Sequence, residues 1–131
     1  MADQTPPPSA RGGQTFLARA RCRALAAGRP LPEEESGSAA FVDISGFTPL
    51  TESLGQHLGP RRGAEALTAV INQVFEVLIA QVHRFGGDVL GFAGDAMLCW
   101  FADPCARALT AAHAMQQEMV QLRNENKRLR D

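Results

Sequence analysis

Cysteine is scarce: Cys22, Cys99 and Cys105 are an odd number without paired metal-type spacing, which excludes a disulfide framework and points to a reduced, cytoplasmic protein. A surplus of either charge is missing too. Thirteen Lys+Arg against 14 Asp+Glu leave a formal charge of −1, so the basic surface of a general nucleic-acid binder is absent. No apolar run approaches the roughly 18 to 20 residues that span a bilayer, and no transmembrane segment is expected. The start Met1-Ala2-Asp3-Gln4, followed by three prolines, lacks the charged-then-apolar pattern of a secretory signal. His57, His83 and His113 are scattered without ligand spacing, and no internal repeat is evident. What is present is 131 residues, 45% hydrophobic and 21% charged, which is the composition and length of one globular domain.

Composition changes near residue 38. Residues 1–38 hold five of the eight prolines, and the stretches Pro6-Pro7-Pro8-Ser9 and Glu33-Glu34-Glu35-Ser36-Gly37-Ser38 read as solvated linker, so a disordered Pro/Arg/Glu-rich extension is expected. Between them, Phe16 to Leu25 suits a short basic helix. Ala40-Phe41-Val42-Asp43-Ile44 then reads as a strand broken by Ser45-Gly46. Thr48 is the expected N-cap of a short helix with Pro49 at its first position, interrupted at Gly55 and Gly59-Pro60. From Gly63 to Arg84, apolar residues step by three and four (Leu67, Val70, Ile71, Val74, Phe75, Leu78, Ile79, Val82), the stripe of a long amphipathic helix ended by Gly86-Gly87. Residues 88–92 and 96–101 read as a hairpin joined through Gly94-Asp95. A last long helix is expected over 104–130. Met115, Met119, Leu122 and Leu129, with Asn126 in the missing place, have coiled-coil spacing, and a domain helix running into solvent competes with that reading. The order predicts an α+β fold, an antiparallel sheet with helices on one face.

Two aspartates stand out. Asp43 lies inside an apolar strand, where a buried carboxylate needs either a basic partner or a metal ion. Alternation places Phe41, Asp43 and Ser45 on one face and Val42 and Ile44 on the other. Asp95 occupies the hairpin connection. On neighbouring strands the two carboxylates suit a hard cation such as Mg²⁺, which takes carboxylates plus substrate phosphates. Ile44-Ser45-Gly46-Phe47-Thr48 turns straight into a helix start, where backbone N–H groups and the helix dipole favour an anion.

Phe41-Val42-Asp43-Ile44-Ser45-Gly46-Phe47-Thr48, with Leu50-Thr51-Glu52 after it, closely resembles the first strand and helix of class III nucleotidyl cyclase catalytic domains. Phe85-Gly86-Gly87-Asp88 through Gly94-Asp95-Ala96-Met97-Leu98 resembles their metal-binding hairpin, and Gly63-Ala64-Glu65, Leu67 and Asn72 fit the soluble adenylyl cyclase branch. The resemblance covers residues 39–115 and implies a ferredoxin-like cyclase domain. It implies two Mg²⁺ (or Mn²⁺) ions held by Asp43, Asp95 and the Ile44 carbonyl, with Ile44, Ser45, Gly46, Phe47 and Thr48 at the β- and γ-phosphates. The implied reaction is attack of the ribose 3′-oxygen on the α-phosphorus of ATP (or GTP), giving a 3′,5′-cyclic nucleotide and pyrophosphate by two-metal logic.

The chain departs from the family in two places. Gly91 stands where the family often has a base-reading lysine, which leaves the base undetermined and weakens bicarbonate-type regulation through that position. The chain also closes at Asp131, before the family's later strands with the base-reading residues and the transition-state Asn/Arg pair. The expectation is therefore a truncated cyclase domain over 39–131, nearly inactive alone, with an exposed sheet edge and apolar helix face. A second cyclase domain or the missing C-terminal half would complete it. The competing reading is a catalytically inactive cyclase-like dimerisation module. A diguanylate cyclase fits poorly, since Gly86-Gly87-Asp88 lacks the following Glu-Phe.

Overall fold

The structure, a computed structural model, describes residues 19–128, with residues 126 and 127 described by backbone only. The expected linker at residues 6–9, Phe16, Leu17 and Leu129 lie outside the described residues, as does the side chain of Asn126. The elements run α1 (Arg19–Ala26), β1 (Ser38–Asp43), α2 (Phe47–Leu58), α3 (Pro60–Arg84), β2 (Asp88–Ala93), β3 (Ala96–Phe101) and α4 (Ala106–Arg128). The three strands form an antiparallel sheet in the order β1-β3-β2, with β1 and β2 outermost. This is the expected α+β arrangement.

The stripe on α3 becomes the core. Val74, Leu78 and Val82 are buried against Met97, Cys99 and Phe101 of β3 and against Ala108, Ala111 and Met115 of α4. Helices α3 and α4 thus cover one sheet face, as the sequence predicts. α3 is long and apolar enough, by length and composition, to cross a membrane, contrary to the expectation of no such segment. Its apolar stripe is nevertheless the face that packs in this core. Met119 and Leu122 also pack against the core, so the described part of the heptad-like spacing on α4, from Met115 to Leu122, serves the domain's own packing. The other sheet face is open: Phe41 is 66% exposed and Leu98, its partner across the ladder, 38%.

Two turns use left-handed glycine. Gly86, at φ 77°, closes α3 while the Gly86 and Gly87 N–H groups donate to the carbonyls of His83 and Val82. The hairpin turns through Gly94-Asp95, between the paired residues Ala93 and Ala96. Gly55, expected to interrupt the first helix, instead lies within α2, and Gly59 separates α2 from α3. The reason is packing. A Cβ on buried Gly63 would stand 3.0 Å from the Cα and N of Gly55, so the two glycines let the helices cross backbone to backbone. Backbone atoms cannot yield as a side-chain end does. Gly63→Ala is therefore expected to cost about 1–3 kcal/mol in urea unfolding, and an unchanged midpoint would contradict this crossing.

Burial pushes the Cys99 thiol up to about 11. The unfolded chain ionises this thiol near its ordinary value of roughly 8.5. Between those values the folded state holds a proton the unfolded state has lost, so Cys99 makes stability fall as pH rises. Cys99→Ala should flatten thermal melts across this alkaline range. A slope as steep as that of the parent would contradict the assignment.

Candidate metal and phosphate site

Asp43 ends β1 opposite Ala96, the first residue of β3. The pairing continues one rung further, where the Ile44 N–H donates to the Asp95 carbonyl at 3.2 Å. Asp43 and Asp95 thereby sit on adjacent rungs at one end of the sheet. The structure corrects one premise: Asp43 is exposed on the open face beside Phe41, whereas Val42 is half-buried and Ile44 buried on the helix side. The faces alternate as expected. Burial does not demand a partner for this carboxylate, because nothing covers the outer face among the described residues.

Charge does favour a cation. Asp95 is also exposed, and neither carboxylate has an ion pair or hydrogen bond among the described residues. Two carboxylates at one end of the sheet, neither neutralised by a cationic side chain among the described residues, leave negative charge that a divalent ion would offset. No group of three or more His, Cys, Asp and Glu gathers among the described residues. A cation here would therefore take two carboxylates from the chain and its other oxygens from backbone, phosphate or water, as Mg²⁺ commonly does.

The turn after Ile44 leads directly into α2. Gly46 is the N-cap, at φ 93° in the left-handed region, and no side chain caps the helix. This corrects the assignment of Thr48 as N-cap: Phe47 opens the helix, Thr48 is second and Pro49 third. The N–H groups of Phe47 and Thr48 belong to the first turn, which has no intrahelical acceptors, and no side chain competes for them. Ser45, Gly46 and Thr48 are exposed and Phe47 is half-buried. The helix start thus offers backbone donors to an anion beside the two aspartates.

A trough of about 370 Å³ adjoins this end of β1, lined by Phe41 to Ser45 on the strand side and by Leu78, Ala112, Met115, Gln116 and Met119 on the helix side. Its two walls are the exposed sheet edge and helix face that the sequence leads one to expect, though not their meeting in a trough. Met115 and Met119 carry helical spacing, which reveals a packed face but not that one flank of it remains open. Gly91 lies opposite Leu98, and a Cβ there would meet nothing within 4 Å. Gly91→Lys should therefore fold normally and leave Mn²⁺ affinity nearly unchanged in a titration. A large loss would mean that this residue lies at the metal.

The fold is that of adenylyl cyclases. A bacterial light-regulated adenylyl cyclase superposes with a TM-score of 0.66 at 21% identity, covering 89% of this chain and 34% of its own. A second such structure superposes at 0.61 and 19% identity over the same shares. Sequence similarity narrows the relationship: adenylate cyclase type 10 of Homo sapiens is 44% identical over 70 residues, 53% of this chain. The enzymes of Rattus norvegicus and Mus musculus match at the same identity and length. Sequence similarity and fold together support a partial class III cyclase domain. The chain spans 4% of the length of these curated relatives. No family model matches the sequence.

Proposed function

We propose that this chain is the metal- and triphosphate-binding half of a class III nucleotidyl cyclase, converting ATP to 3′,5′-cyclic AMP and pyrophosphate once another cyclase domain or domain half completes it. The carrying observation is the rung from Ile44 to Asp95, which brings together two carboxylates without an ion pair among the described residues and a helix start with no side-chain cap. Asp43, Asp95 and the Ile44 carbonyl would hold two Mg²⁺ (or Mn²⁺) ions. When bound, these would lower the charge barrier to attack by the ribose 3′-oxygen and to departure of pyrophosphate.

The chain's own residues orient the substrate. The Ser45–Thr48 turn receives the β- and γ-phosphates on backbone N–H groups, with Gly46 leaving the approach clear of a side chain. Gly91 contributes no side chain to the base, so the choice between ATP and GTP rests with the complementing domain. Stabilising the transition-state charge is likewise the complementing domain's share.

ATP titrated into the chain should bind with Mn²⁺ present and not with Mn²⁺ withheld. Equal or absent binding in both arms would favour the competing reading, an inactive cyclase-like interaction module.

A further inference from the structure

α1 rests against β2. The docking is slight. None of its side chains is fully buried: Cys22 and Ala24 are half-buried, and Leu25 is 69% exposed. Eight residues of helix hold little helicity alone in water, so α1 depends on this contact. With so little apolar area behind it, a change of one charge is enough to shift the balance between docked and released α1.

Three ionisable groups from three elements meet here. His83, half-buried in the last turn of α3, is within electrostatic reach of Arg19 on α1 and of Asp88, the first residue of β2. Asp88 is 6% exposed, its Oδ1 accepts no hydrogen bond, and no cationic side chain pairs with it among the described residues. The other cations near this end are engaged elsewhere. Arg84 lies over the Phe85 ring, 5.4 Å from its centre, and Arg107 of α4 pairs with Asp103 at 3.5 Å. Arg21 and Arg23 of α1 are exposed, β3 brings no ionisable group but the Cys99 thiol, and α2 crosses α3 at its far end, at Gly63. Burial, and then the Arg19 charge, hold the His83 imidazole below its ordinary value of 6.5, with Asp88 opposing them in part.

We propose that α1 is a pH-sensitive clasp on β2, released when His83 takes up a proton. Docked α1 holds the Arg19 guanidinium near the imidazole, and a proton there sets two cations together. Release carries Arg19 away while Asp88 stays on β2. The imidazolium then supplies the cation that this buried carboxylate lacks. His83 is therefore readier to bind a proton when α1 is released than when it is docked. By linkage, docking is favoured above the ordinary histidine value and is lost as pH falls through it. Asp88 lies at the opposite end of β2 from Ala93 and the Gly94-Asp95 turn, so the clasp is separate from the metal and phosphate site.

Hydrogen exchange of the full chain at about pH 7.5 and about pH 5.5, corrected for intrinsic rates, reads docking through the intrahelical amides from Arg23 to Ala26. Amides of α4 in the same sample serve as the reference. Protection of the α1 amides should fall about 3-fold or more at the lower pH, while that of α4 holds. His83→Gln, which cannot take the proton, should keep α1 equally protected at both values. Arg19→Gln, at an exposed position that spares the core, removes the opposing charge and should shrink the acid effect likewise. Protection of α1 that is absent at both pH values, or the same at both in the parent chain, would overturn the proposal. So would an acid loss as large in both variants as in the parent, which would trace it to another group.

Discussion

Asp43→Asn is expected to abolish Mn²⁺-dependent ATP binding while leaving the fold intact. Asp43 is exposed and has no partner among the described residues, so the amide replaces it without stranding a buried group. The chain supplies two carboxylates to the proposed ions, and an amide oxygen is a neutral, weaker ligand for a hard cation. Losing one of two charges should weaken binding at least roughly 100-fold, or about 3 kcal/mol at about 1.4 kcal/mol per tenfold. Asp95→Asn should behave alike, since it lies on the next rung. Calorimetric titration of Mn²⁺ and ATP, with urea unfolding as the control for stability, separates lost ligation from lost structure. Undiminished binding in both variants would remove the metal assignment.

Phe101→Ala should have the largest effect on stability. Phe101 is 1% exposed and belongs to the cluster joining β3 to α3 and α4. Its ring also fills the space beside Gly87, where a Cβ would meet it at 2.5 Å. Truncation loses the ring's burial and leaves a cavity at the centre of a small core, at a cost of about 3–5 kcal/mol. A domain of this size rests on a net stability of roughly 5–15 kcal/mol. The variant should therefore unfold at a markedly lower urea concentration. A midpoint within experimental error of the parent would contradict the packing described here.

Much of this architecture was legible because it rests on periodicity. The three-and-four stepping of Val74, Leu78 and Val82 is the core face of α3, and the apolar runs on either side of Gly94-Asp95 are β2 and β3. What escaped the sequence depends on tertiary context. Thr48 has the chemistry of an N-cap, but Gly46 in a left-handed conformation starts the helix one residue before Phe47, and Pro49 falls at the third position. Gly55 looks like a helix breaker. Its use is the close crossing with Gly63, which no local pattern reveals. The exposure of Asp43 was hidden for a similar reason: apolar neighbours identify a strand but not which of its faces is covered. The proposed site rests on two sequence motifs, and the structure adds the rung between Ile44 and Asp95 that brings their ends together.

The central claim is that Asp43, Asp95 and the Ser45–Thr48 turn form one divalent-cation and phosphate site. Paramagnetic broadening of backbone amide resonances by substoichiometric Mn²⁺, in the presence of ATP, tests it most directly. The account predicts that amides from Ile44 to Thr48 and from Gly94 to Met97 broaden first, and that Asp43→Asn suppresses this selectivity. Broadening centred elsewhere, for instance on the acidic run Glu33-Glu34-Glu35, or uniform broadening without a focus, would contradict it.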